Sequence, residues 1–223
     1  MGTLLLRCVG PMQSWGSRSR FQERDTEREP TKSGIVGLLC AALGRERGEP
    51  LDDLNALRFG VRVDREGILD RDYHTTLRVI NAEQKKHSTQ LSNRYYLADA
   101  AFLVGLEGER ALLERLQAAL QDPVWPLYLG RKSFVPGCPL SLLRDGLVEQ
   151  SLEDALRDQP SIAPPELRQK TTEKMRILLE DPHGEERRQD VAVDFRHASR
   201  AFYTRQVSTR WVTAPGPREE TCT

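Results

Sequence analysis

An apolar run, Leu4-Leu5-Leu6 followed by Cys8 and Val9, opens directly into Gly10-Pro11-Met12-Gln13-Ser14-Trp15-Gly16. After a charged stretch, Pro30-Thr31-Lys32-Ser33-Gly34 begins an apolar segment that stops at Gly44. Glycine and proline end the strand, and proline followed by hydroxyl residues fixes where the helix begins. Gly44 is a natural C-terminal stop. The chain is therefore committed early to a buried strand, a polar loop and a helix over Ser33 to Leu43. A strand end and a helix start, both rich in donors, also make a seat for a phosphate backbone.

The rest of the chain extends this order. A short helix is expected over Leu51 to Leu57. Phe59, Val61 and Val63 alternate with polar positions, which predicts a half-buried strand. Asp64 to Gly67 reads as a turn, after which Ile68 onward returns as its partner strand. Thr75 to Ile80 is extended, Asn81 to Asn93 is polar, and Tyr95-Tyr96-Leu97 restores apolar character. This pattern predicts a long hairpin with a cation-bearing tip, inserted at about 74–98. Ala101 to Leu106 reads as a strand. Gly108 to Leu120 reads as an amphipathic helix, with Leu112, Leu113, Leu116, Ala119 and Leu120 on one face. A last strand is placed near Trp125 to Leu129. The fold class is α+β, and the order is that of a ferredoxin-like (RRM-like) βαββαβ palm with an inserted β-hairpin. This assigns 1–144 to the palm and 145–213 to a reduced, irregular, β-rich C-terminal part with strands at Met175 to Leu179 and Phe202 to Val207. Residues 214–223 form a loose tail.

Lys plus Arg equals Asp plus Glu, at 33 each. A free-standing nonspecific nucleic-acid binder is usually basic overall, so any anion-facing surface here requires clustered cations. Two tracts meet that requirement. Pro123 to Arg144 holds Arg131, Lys132 and Arg144 with no acid; Phe195 to Arg218 holds five arginines with no acid. A solvated face is the plain alternative for each. Cys8 and Cys40 sit in apolar runs and read as reduced core residues. No signal segment or membrane span is expected, and the chain reads as soluble and cytoplasmic.

Enzyme chemistry finds little support. His74, His87, His183 and His197 lack metal-ligand spacing, and no metal or cofactor is expected. Lys32-Ser33 resembles the end of a phosphate-binding loop without its Gly-rich cradle. No serine-hydrolase elbow is present. Tyr73-His74 with Tyr203 can supply metal-free acid–base chemistry on an RNA 2′-hydroxyl. The plain alternative places Tyr73 and His74 at a strand end, one buried and one hydrogen-bonded.

Taken in order, these pieces resemble the CasD family of type I-E CRISPR Cascade subunits, in the RAMP superfamily. The matching stretches are the strand into Gly10–Gly16, the helix start Pro30–Leu39, Asp72-Tyr73-His74-Thr75, Tyr128-Leu129-Gly130-Arg131-Lys132-Ser133, and the neighbourhood of Ala198-Ser199-Arg200. Each is short, and their shared order over most of residues 3–210 makes the match specific. The resemblance implies a ferredoxin-like palm with a thumb hairpin and no catalysis. It implies a subunit of an antiviral surveillance complex (Cascade) that caps the five-prime handle of the CRISPR RNA (crRNA). Implied partners are the backbone subunits, the large subunit and nearby target DNA. Type I-C relatives use their version as a metal-independent endoribonuclease that processes precursor crRNA, which is the alternative reading. A protein adaptor without RNA contact is a third.

The candidate RNA contacts follow from residue chemistry. Lys32 is placed as a phosphate partner at the helix start, with Ser33 donating beside it; the alternative is an ordinary helix cap. Gln13 can read a base edge and Trp15 can stack, unless Trp15 is core. Gly130 permits close backbone approach next to Arg131 and Lys132. Lys85, Lys86 and His87 lie at the hairpin tip, with Arg78 on its stem. Arg196, His197 and Arg200 lie in the late acid-free tract. Aromatics are only 6% of residues and the sheet-stacking RNA motif is missing, so loops and backbone contacts carry the recognition expected here.

Overall fold

A computed structural model describes residues 1–17, 22–80, 87–142, 146–164, 174–196 and 201–213. The elements run β1 (Gly2–Val9), β2 (Met12–Gln13), β3 (Glu23–Arg24), α1 (Lys32–Leu43), α2 (Asp52–Asn55), β4 (Arg58–Arg65), β5 (Ile68–Ile80) and β6 (His87–Ala98). They continue with β7 (Ala101–Gly108), α3 (Arg110–Gln121), β8 (Leu147–Val148), α4 (Leu152–Asp158), β9 (Met175–Glu180), β10 (Glu186–Asp194) and β11 (Ala201–Val212).

Seven strands form one antiparallel sheet in the order β10-β11-β9-β4-β7-β1-β8. The fold is α+β. The part β4-β7-β1-β8, with α1 and α3 as its crossovers, is compatible with a ferredoxin-like plan. Both faces of the sheet are covered, which explains why β1 reads as a continuous apolar run. Leu4, Leu6 and Cys8 enter a core shared with α1 and α3, while Leu5 faces α4 with Leu152 and Leu156. Successive strand residues point to opposite faces, so an apolar helix layer on each side demands apolar residues at every position. Cys8 and Cys40 are buried and unpaired, and burial pushes the Cys40 thiol up to about 11.

Three expectations are corrected. Trp125 to Leu129 is not a strand. The edge of β1 is met further on, by Leu140, Ser141 and β8. Ile68 onward does not pair with β4, whose two edges are taken by β7 and β9. Instead β5 pairs with β6 over nearly its whole length, so the hairpin spans Ile68–Ala98 and starts earlier than residue 74. The C-terminal strands β9, β10 and β11 extend the main sheet through β9 on β4.

A second sheet places β2 and β3 against the inner half of β6, with β5 on the other edge. The Gly10–Gly16 loop joins the two sheets. Gln13 is fully buried; its amide donates to the carbonyls of Cys8 at 2.9 Å and Ala100 at 2.8 Å. Among the described residues no helix is long and apolar enough to cross a membrane.

Candidate nucleic-acid interface

The two motifs that open the chain meet each other. Trp15 is 1% exposed, and its ring lies so close to Gly34 that a Cβ there would stand 2.8 Å from it. Its indole Nε1–H donates to Gln13 Oε1 at 3.3 Å. Gln13 and Trp15 are therefore internal, which corrects their reading as a base reader and a stacking ring. The loop's donors are used to fasten one sheet to the other.

Lys32 is corrected in the same way. It is 2% exposed, and its Nζ reaches Glu180 Oε2 at 2.8 Å and the Asn55 carbonyl at 2.8 Å. Burial pulls its ammonium below the ordinary lysine range, while Glu180 acts in the opposite direction. The helix start already holds an anion. The Lys32 backbone N–H donates to Asp190 Oδ2 at 2.9 Å, and Asp190 is gripped twice by Arg205, at 2.7 and 2.9 Å. The cap is Thr31, whose Oγ1 accepts from Gly34 N–H at 3.2 Å. Half-buried Ser33 turns its hydroxyl toward Thr31. A helix N-terminus favours an anion, and here the protein supplies its own.

The described arginines of the late acid-free tract are paired. Arg196 pairs with Asp194, Arg205 with Asp190, and Arg210 with Glu153 on α4. The β10–β11 pairing makes one of these matches, Asp190 of β10 with Arg205 of β11, while Asp194 and Arg196 are two residues apart in the chain. His197, Arg200, Lys85 and Lys86 lie outside the described residues. Arg78 and His87 are exposed near the hairpin end, where His87 Nδ1 lies 3.3 Å from the Arg78 carbonyl. Tyr73 and His74 are successive on β5 and point to opposite faces, while Tyr203 belongs to the other sheet. Tyr73 is exposed, not buried.

Arg131 is different. A cleft of ≈ 1070 Å³ lies against both sheets, and Arg24, Arg131 and Arg187 are among the residues lining it. Its buried acids are already matched: Glu29 by Arg176 and Arg188, and Asp190 by Arg205. Arg24, Arg131 and Arg187 carry no ion pair among the described residues. A second groove of ≈ 680 Å³ runs along the hairpin, lined by Arg24, Arg94, Gln22, Gln90 and Ser92. Arg24 thus joins the two.

The cations crowd at this junction. Arg24 and Arg94 are register partners across the parallel β3–β6 pair, where like charges oppose each other at a cost. Arg131 Nη2 donates to the Arg24 carbonyl at 3.0 Å and the Tyr95 carbonyl at 2.8 Å. Its guanidinium lies 5.4 Å from the Phe134 ring centroid. Burial first, then Arg94 and Arg24, lower its pKa from the usual arginine range, with Asp72 and Asp25 opposing. Three arginines thus meet at this corner, where Asp72, the register partner of Arg94 on β5, and Asp25, next to Arg24, offset part of their charge. Arginine side chains grouped in this way have the chemistry to offer bidentate hydrogen bonds to a phosphate.

Gly130 holds this corner in place, and its role is also corrected. Its φ is +91°, and a Cβ would sit 1.6 Å from the Ser14 carbonyl oxygen. The close approach it permits is to its own chain. Arg24 and Arg94 escaped the sequence analysis because acids flank Arg24 and no cation tract includes either. Only the strand pairing brings them together. Lys132, next in sequence, is exposed.

The family model for CRISPR-associated protein (Cas_Cas5) matches residues 3–208. The chain belongs to the Cas5 family of CRISPR-associated proteins. The CRISPR system Cascade subunit CasD of Escherichia coli (strain K12) is 40% identical over 156 residues, covering 62% of this chain and 67% of that one. A crystal structure of a Cas protein is 48% identical with a TM-score of 0.76, covering 95% of each chain. A chain of a CRISPR RNA-guided surveillance complex superposes with a TM-score of 0.80 at 33% identity, covering 96% of this chain and 91% of that one. Both of these structural matches span nearly the whole chain.

Proposed function

We propose that this chain is a non-catalytic subunit of a type I-E CRISPR RNA-guided surveillance complex that holds the five-prime handle of the crRNA. The observation that carries the reading is its likeness, over 96% of its length, to a chain of such a complex. The Arg24–Arg94–Arg131 junction is the phosphate seat, and the two joined grooves give the strand its path. Ferredoxin-like strands form the palm, and β5–β6 is the thumb. A two-stranded ribbon is marginal alone in water, yet this one exposes Leu69, Tyr73, Leu77 and Ile80. Those side chains meet neighbouring subunits, by whose burial the ribbon is held. Target DNA passes near the same surface.

The test is filter binding of repeat RNA to the full chain across a salt series. Arg24→Ala, Arg94→Ala and Arg131→Ala each lower the log–log slope by about 0.7. An unchanged slope in all three removes the junction from the site. Site-specific cleavage of that RNA in chelator, lost in His74→Ala, would overturn the non-catalytic reading in favour of the endoribonuclease alternative.

A further inference from the structure

The segment from Pro123 to Pro136 exposes large apolar side chains that no core absorbs. Trp125 is 42% exposed, Tyr128 38%, Val124 63% and Val135 64%. It is nevertheless firmly anchored. The N–H groups of Val124 and Trp125 donate to the Ala42 and Ala41 carbonyls at 3.0 and 3.1 Å. They add to the capping of the α1 end, where the Ala41 carbonyl also accepts from the Gly44 N–H, and this tempers its negative end. Leu129 and Phe134 are buried and joined by a 2.8 Å hydrogen bond from Leu129 N–H to the Phe134 carbonyl. The two exposed rings are therefore held by backbone, and little entropy is lost when they are used.

We propose that this segment is a stacking platform for unpaired bases of a single-stranded nucleic acid. Trp125 and Tyr128 supply the ring faces, while Lys132 and Arg131 supply the phosphate contacts. The proposal deepens the reading above and rests on it. Two observations favour nucleic acid over protein as the occupant. No acid occurs from Pro123 to Leu142, so nothing on the segment repels a phosphate. Lys132 is also exposed with no ion pair among the described residues, whereas lysine is depleted at protein interfaces. Aromatic rings on one segment with cations are the chemistry of single-strand binding, and a base inside a duplex has no free face to offer.

The test uses the full chain with short oligo(A) RNA, oligo(dA) DNA and the annealed duplex. Tryptophan fluorescence is quenched by either single strand and not by the duplex. Trp125→Leu removes most of the quenching, whereas Trp211→Leu, a change at an exposed site on β11, retains it. Trp125→Leu and Tyr128→Leu each weaken binding about tenfold or more with an unchanged salt slope, and Trp125→Phe restores most of the affinity. A stronger response to RNA than to DNA assigns the platform to the guide; equal responses extend it to displaced DNA. If wild-type protein binds RNA with the full salt slope and Trp125→Leu changes neither affinity nor quenching, the platform is refuted and the segment is a protein-docking surface. If wild-type protein binds no RNA at all, the failure lies with the function proposed above.

Discussion

Replacing Lys32 with methionine separates the two roles its position suggests. The side chain is 3% exposed, and its ammonium faces Glu180, whose side chain is 25% exposed. Methionine fills the stem's volume and removes the charge, leaving a mostly buried carboxylate with one remaining donor, the Phe59 N–H at 3.2 Å. Breaking a buried pair from one side costs about 3–5 kcal/mol. Glu180's partial access to water puts this case near the lower end, about 3 kcal/mol. For a domain of this size that lowers Tm by about 6–12 °C. The Lys32→Met/Glu180→Gln double variant removes both charges and keeps an acceptor for Phe59. It therefore melts higher than the single variant, and the double-mutant cycle reports a favourable coupling. Calorimetry measures the melts, and filter binding on the same samples reads the RNA. Below its melting range the single variant keeps the wild-type salt slope. A variant that melts like wild type but loses about 0.7 from the slope would mean that Lys32 reaches a phosphate and that the internal pairing is not what holds it.

Two further substitutions probe the scaffold. Gly130→Ala places a methyl group against the Ser14 carbonyl at a φ of +91°; urea unfolding should show a loss of about 2 kcal/mol or more from the backbone conformation and the collision together. Asp53 is held below its ordinary value of 3.8 by hydrogen bonds from Arg45, with that charge, the Leu54 N–H and Arg115 adding to the effect against some burial. Because the folded value is depressed, the stabilisation is present above about pH 4 and disappears as pH falls through the folded value. Its side chain is 38% exposed, so screening limits the effect to about 1 kcal/mol or less. Asp53→Asn should accordingly lower Tm by a few degrees at pH 7, with the gap to wild type closing in strong acid. A gap independent of pH would discount the ion pair.

What was legible in the sequence was local. The apolar run of β1, the Gly44 stop of α1 and the amphipathic face of α3 each depend on neighbours a few residues apart, and each is found where the pattern puts it. Strand partners were harder, because period-two alternation states that a segment is a strand without naming its neighbour. Ile68 follows a good turn after β4 and still pairs elsewhere, since β9 arrives from more than a hundred residues downstream to take that edge. The fourth palm strand failed for a related reason. Trp125 to Leu129 is apolar enough for a strand, but the Trp125 N–H goes to the end of α1, the Leu129 N–H goes to the Phe134 carbonyl, and the Leu129 side chain goes to the core.

The charge argument shows most clearly where a linear reading stops. An acid-free tract was taken as a sign of an anion-facing surface, but tracts on adjacent antiparallel strands face one another. In the fold Arg205 of β11 is matched by Asp190 of β10 and Arg210 by Glu153 of α4, while Arg196 pairs with Asp194 two residues away. The surviving cationic site came from the opposite situation. Arg24 lies between Glu23 and Asp25, and Arg94 follows a run of polar residues, so neither stands out in the chain. Parallel pairing at β3–β6 sets the two side by side, and Gly130 brings Arg131 to them. Like charges held together by a fold cost stability, and here the crowding falls at the meeting of two open grooves. That cost is understandable if an anionic strand lies there in the working assembly, which is why the slopes of the three arginine variants, and not the affinity of the wild type alone, decide the proposal.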